Sequence, residues 1–168
     1  SWQFMPVQVK EGISLNEIKN PEYAQNPVWE SVPYKVPSPW NVNSFSTGGG
    51  GDFVAFPSYP KAWENVLAGW VQKTVHVPST WDHSGIKLHF EAVAGYAKVF
   101  INGQFAGDNF DIFLPFSVDV TPYAEPGKDM DISLWIAHGK LLNEPGKYGL
   151  RNYVSGSFWG IHIVVIWQ

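Results

Sequence analysis

The chain has 168 residues, of which 45% are hydrophobic and 15% charged, with no Cys and a formal net charge of −4. That length and apolar content predict one domain over residues 1–168 with a sizeable core, and exclude a disordered chain. The acidic balance (pI near 5.7) excludes a basic nucleic-acid footprint, and no apolar run approaches the ~20 residues of a membrane-spanning helix.

Zero cysteine removes disulfides, thiolate nucleophiles and zinc–thiolate sites. No cationic stretch precedes an apolar one, so no signal peptide is visible. Sixteen Gly and thirteen Pro predict many turns and few long helices. The nine Trp exceed what a core of this size ordinarily needs.

In chain order, Ser46–Gly51 is a flexible loop by composition. No Lys-Ser or Lys-Thr follows its glycines, so it is not a phosphate cradle. Tyr59–Val66 is the one segment expected to hold a short helical turn. Gly69–Val77 alternates through Val71, Val75 and Val77, with Lys73 an odd member of that face, and must end as a strand at Pro78. Ile86–Glu91 alternates strictly. Ala97–Ile101 runs through Asn102-Gly103 into Gln104–Gly107, a hairpin signal, because a type I′ turn needs positive φ at both central residues. Leu114–Val120 is a further extended run ending at Thr121-Pro122. Glu125–Lys128 is a turn, Met130–Ala137 alternates again, and Ile161–Trp167 is a final apolar strand. Strands separated by turn signals roughly every ten residues predict an all-β sandwich or jelly roll.

Catalytic constellations are thin. The five His (His76, His83, His89, His138, His162) lack metal-pair spacing, and those in strand patterns are expected to face solvent. No Ser stands in a Gly-x-Ser-x-Gly elbow. Asp119 precedes Thr121-Pro122 and is expected to cap that turn. Asp108 and Asp111 are placed on a loop, where they either meet sugar hydroxyls, hold a cation through oxygen, or solvate a turn. The aromatic excess remains. Trp40, Tyr59, Trp63, Trp81, Tyr148, Tyr153 and Trp159 lie in or beside turn-rich segments. Such rings either stack on the apolar face of a pyranose or plug the ends of the sandwich.

The motifs also form an ordered series: Leu15-Asn16, Trp29 to Val32, Val36-Pro37-Ser38-Pro39-Trp40-Asn41, Gly69–Lys73 and Val77-Pro78. Leu88–Val93, Ala97–Gly107, Pro115–Thr121, Pro126-Gly127-Lys128 and Gly160-Ile161-His162 complete it. Over nearly the whole chain this series resembles the N-terminal sugar-binding domain of glycoside hydrolase family 2, β-glucuronidase- and β-galactosidase-like. The resemblance implies a galactose-binding-like jelly roll of about eight or nine antiparallel strands. It implies a non-catalytic domain, since the family's catalytic glutamates lie in a following (β/α)₈ barrel. In some members an acidic residue just before the final Gly-Ile strand reaches the substrate, but Val154 takes that position here.

Two functions follow as expectations. One is a carbohydrate-binding module, extracellular or periplasmic, that holds a poly- or oligosaccharide for a glycosidase domain in the same polypeptide. The alternative is a structural subdomain with no sugar affinity of its own, which should show a contiguous apolar patch. Neither involves nucleic acid or membrane. The site is expected on loop 108–113, the Trp40-Asn41 turn and loop 148–159. Trp40 or Trp159 would stack on a sugar. Asn41, Asp108, Asn109, Asp111, Arg151 and Asn152 would meet hydroxyls, with Arg151 suited to vicinal hydroxyls, a uronate or a sulfate. No catalytic residue, metal ligand or cofactor is expected. Related jelly rolls often carry a structural calcium, but no dense oxygen-ligand loop stands out here.

Overall fold

A computed structural model describes residues 1–8, 27–36, 40, 59–63, 65–82, 85–93, 95–111, 114–137, 141 and 158–166, the last stretch by its backbone. Eight strands are described: β1 (Gln3–Val7), β2 (Ala68–His76), β3 (Gly85–Val93), β4 (Tyr96–Ile101), β5 (Gln104–Asn109), β6 (Phe116–Asp119), β7 (Asp129–Ala137) and β8 (Phe158–Ile166). They form an all-β sandwich of two antiparallel sheets, ordered β1-β2-β7-β4-β5 and β6-β3-β8.

The alternation that marked the strands sets the core. Val71 of β2, Ala97, Val99 and Ile101 of β4, and Met130, Ile132, Leu134 and Ile136 of β7 point inward. Ile86, Leu88 and Phe90 of β3 and Val118 of β6 meet them from the other sheet. Each of these Val, Ile, Leu, Met and Phe side chains contributes roughly 1.5–3 kcal/mol on leaving water. Lys73 breaks the β2 pattern and carries its ammonium to 6.0 Å from the centroid of the Trp2 ring.

The Asn102-Gly103 hairpin forms as expected, with φ of 49° and 78°. Asn102 also clamps the turn: its side-chain oxygen accepts from Asp131 N (2.8 Å) and its amide donates to Tyr123 O (3.1 Å). The helical signal at 59–66 becomes a single 3₁₀ turn, Lys61–Trp63. Strand β1 lacked a signal, because its five residues include Pro6 and no alternation. Its Phe4 lies over Gly69, where any Cβ would come within 2.4 Å of the ring.

The outer face of the five-stranded sheet is apolar at one end and polar at the other. Trp70, Tyr96, Phe100, Trp135 and Leu141 form a second buried cluster there, packed by Met5, Val7, Trp29, Leu67 and Phe110. At the polar end, Thr74 donates to Asp131 (2.5 Å) and His76 pairs with Asp129 (2.8 Å) in the open.

Candidate functional site

Of the two readings open for the turn aromatics, Trp40, Tyr59 and Trp63 follow the second and plug the sandwich. Trp40 is 1% exposed, stacked on Phe4 at 5.1 Å, and its indole N–H donates to Val66 O at 2.8 Å. It cannot offer a ring face to a sugar, so its assignment as a stacking platform is corrected to core. Tyr59 and Trp63 are buried with it, in contact with Phe4 and Tyr34. These rings close the sandwich beside β1. Burial drives the Tyr34 hydroxyl well above the usual tyrosine range, with the neighbouring Tyr59 acting the same way.

Asp108, Asn109 and Asp111 lie at the opposite edge of the same sheet. Four strand intervals separate β1 from β5, about 19 Å at ordinary strand spacing. The structure therefore does not gather Trp40 with the acidic corner. Asp108 is also not on a loop. It sits in β5 opposite Lys98 of β4, exposed, and accepts a hydrogen bond from Tyr96 Oη at 2.9 Å. Burial lowers the Lys98 ammonium below its usual value, and the Asp108 carboxylate works against that shift.

Beyond β5 the chain turns on its own polar groups. Asn109 donates to Asp111 O (2.7 Å), and Asp111 Oδ1 accepts from Leu114 N (3.1 Å). Between them Phe110 stacks on Tyr96, with centroids 4.1 Å apart. The corner thus holds an aromatic pair beside Asp108 and an Asp111 side chain with a turn-building role. Asp119 behaves as expected: it accepts from Thr121 N at 3.0 Å, and the hydrogen bonds from the Thr121 side chain and backbone hold its carboxyl below the usual range.

Asn41, Arg151 and Asn152 lie outside the described residues, as does Val154. Trp159 is placed by its backbone in β8, beside the irregular pairing at Ala92 and Val93. His76 is exposed, and the partly exposed His89 hydrogen-bonds Ser117 Oγ at 2.9 Å. Among the described residues, no three His, Asp or Glu side chains gather as a metal site.

Known proteins resemble this chain in sequence and in fold. A β-galactosidase of Thermoanaerobacter pseudethanolicus is 32% identical over 69 residues, covering 41% of this chain and 9% of that protein. A putative β-glucuronidase of Formosa agariphila is 26% identical over 130 residues, covering 77% of this chain and 13% of that one. The chain therefore spans only a small part of these relatives. Among solved structures, a β-glucuronidase of an uncultured Clostridium sp. superposes with a TM-score of 0.59 at 20% identity, covering 82% of this chain and 21% of that one. A Faecalibacterium prausnitzii β-glucuronidase gives 0.57 at 22% identity, over 86% and 22%. Both likenesses bear on the fold alone. The family model described as "Glycosyl hydrolases family 2, sugar binding domain" matches residues 2–148, and the chain belongs to that family of non-catalytic, sugar-binding β-sandwiches.

Proposed function

We propose that this domain is a carbohydrate-binding module that holds a poly- or oligosaccharide and targets an attached glycoside hydrolase in an extracellular or periplasmic setting. The observation carrying this reading is how the sheet's apolar outer face is covered. Trp70, Trp135, Tyr96 and Phe100 are buried beneath the chain's own Trp29, Phe110 and Leu141. Among the described residues, the large hydrophobics left exposed are Val28, Phe105 and Leu114. A domain serving only to buttress a barrel should present a broad apolar patch.

The binding corner is Asp108 and Asn109 beside the Tyr96–Phe110 pair; Arg151, Asn152 and Trp159 are proposed as sugar contacts on their chemistry alone. Asp111 is assigned to the turn. Such a wet, shallow site should bind one short oligosaccharide in roughly the µM–mM range. The structural-subdomain reading is favoured by a different fact: the matched region is 9–13% of its curated relatives. Affinity electrophoresis of the chain and of an Asp108→Ala, Asn109→Ala double variant against a glycan panel separates the two. Retardation of the wild type that weakens in the variant supports the module. No retardation of a folded wild type supports the subdomain.

A further inference from the structure

We propose that the bulge in β5 assembles a subsite for a neutral pyranose on the outer face of the β4–β5 hairpin, with Phe105 as its stacking ring and Lys98 and Asp108 as donor and acceptor. Residues three apart in a regular strand point to opposite faces. Phe105 and Asp108 are three apart, yet both face outward. Their pairing shows why: Lys98 opposes Asp108 and Val99 opposes Gly107, but Phe100 opposes Phe105, leaving Ala106 as the extra residue. Ala106 packs inward, and Gly107 faces Val118 of the core. A bulge that re-aims a side chain in this way is a recurrent device beside functional sites.

The re-aimed ring is half out of water, at 51% exposure. It is nonetheless held. Phe100 and Phe105 form a T-shaped pair with centroids 5.9 Å apart, and Lys98 Nζ stands 5.2 Å from the Phe105 centroid. Its backbone carbonyl accepts from Tyr123 Oη at 3.1 Å, and the turn just before it is clamped by Asn102. A ring already fixed costs little further ordering on binding.

The chemistry of this patch is that of a sugar. A pyranose has an apolar C–H face and a rim of hydroxyls that both donate and accept. Phe105 offers area to the first. Lys98 supplies donors to the second, and the Asp108 carboxylate has about four acceptor positions, of which Tyr96 uses one. Because one cation and one anion stand side by side in register, the patch favours a neutral sugar over a uronate or a sulfated one.

This inference rests on the carbohydrate-binding reading above, and the test separates the two. Wild type, Phe105→Ala, Phe105→Leu and Phe105→Trp are run by affinity electrophoresis in xylan, mixed-linkage β-glucan, galactan and galactomannan, with polygalacturonate as the acidic probe. The expected result is retardation of the wild type by a neutral glycan, an affinity loss of roughly tenfold or more in the Ala and Leu variants, and binding kept by the Trp variant, with unchanged melting. Equal retardation of wild type and the folded Leu variant overturns the subsite while sugar binding by the domain stands. Retardation by polygalacturonate alone overturns it as well. No retardation of the folded wild type by any probe overturns both readings. Should the Ala variant fail to fold, the Leu and Trp variants decide.

Discussion

Trp40 and Trp63 are both 1% exposed and pack on the same Phe4 ring, but their indole nitrogens fare differently. Trp40 Nε1 donates to Val66 O at 2.8 Å, whereas Trp63 Nε1 is buried with no acceptor among the described residues. Trp→Phe removes the same atoms at each position, so the cavity term largely cancels in the comparison. At Trp40 the substitution also strands the Val66 carbonyl, at about 1–3 kcal/mol. At Trp63 it removes a buried, unsatisfied N–H and recovers a penalty of similar size, about 1–3 kcal/mol. Trp40→Phe should therefore be the more destabilising by at least ~2 kcal/mol. With a urea m-value of about 1–3 kcal/mol/M, the two unfolding midpoints should differ by about 1 M. Equal midpoints, or a lower one for Trp63→Phe, would refute this account of the aromatic cluster. The comparison also separates core from site: Trp40→Phe should leave the glycan affinity of the folded protein unchanged.

Other perturbations test the frame around the site. Gly69→Ala puts a methyl 2.4 Å from the Phe4 ring and should cost about 1–3 kcal/mol in chemical denaturation, an effect that Phe4→Leu should partly relieve. Asn102→Ala loses both clamping hydrogen bonds and is strained at φ 49°, whereas Asn102→Gly loses the bonds alone; the Ala variant should be the less stable by roughly 1 kcal/mol in thermal melts. Asp119 has a folded-state pKa below its unfolded one, so its contribution is present above about pH 4 and disappears as pH falls through the lowered value. Asp119→Ala should accordingly be less stable than wild type at pH 7, with the gap closing in acid titrations followed by circular dichroism.

Most of the sandwich was legible because strand alternation and core-facing position are one pattern seen twice. Val71, Leu88, Val99 and Leu134 each lie where a two-residue period places them. The Asn102-Gly103 turn was equally plain, since few residue pairs accept positive φ in succession. The site was harder. Trp40, Tyr59 and Trp63 neighbour prolines and glycines in sequence, which suggests exposure, yet rings distant in sequence bury them. What covers a side chain is set by long-range packing that a local reading does not contain.

Asp108 reads as a loop residue for a related reason. Its neighbours Gly107 and Asn109 read as a loop, whereas pairing with Lys98 extends the strand past them. Phe105 stands in the family series, but nothing in its local sequence marks it as a ligand contact. Its outward direction depends on one extra residue in β5, and Gly107 was the only sequence signal of that irregularity. Strand β1 is not legible in the sequence because five residues with an internal proline carry too short a pattern.

The central claim, that this domain itself holds a glycan at the β5 edge, is met most directly by mapping backbone amide shifts during titration with short neutral oligosaccharides. The account predicts saturable shifts concentrated on Lys98, Phe105, Ala106 and Asp108 and on the turn through Asp111. Saturable shifts confined to another part of the sandwich, or none at millimolar ligand in the folded chain, would contradict it.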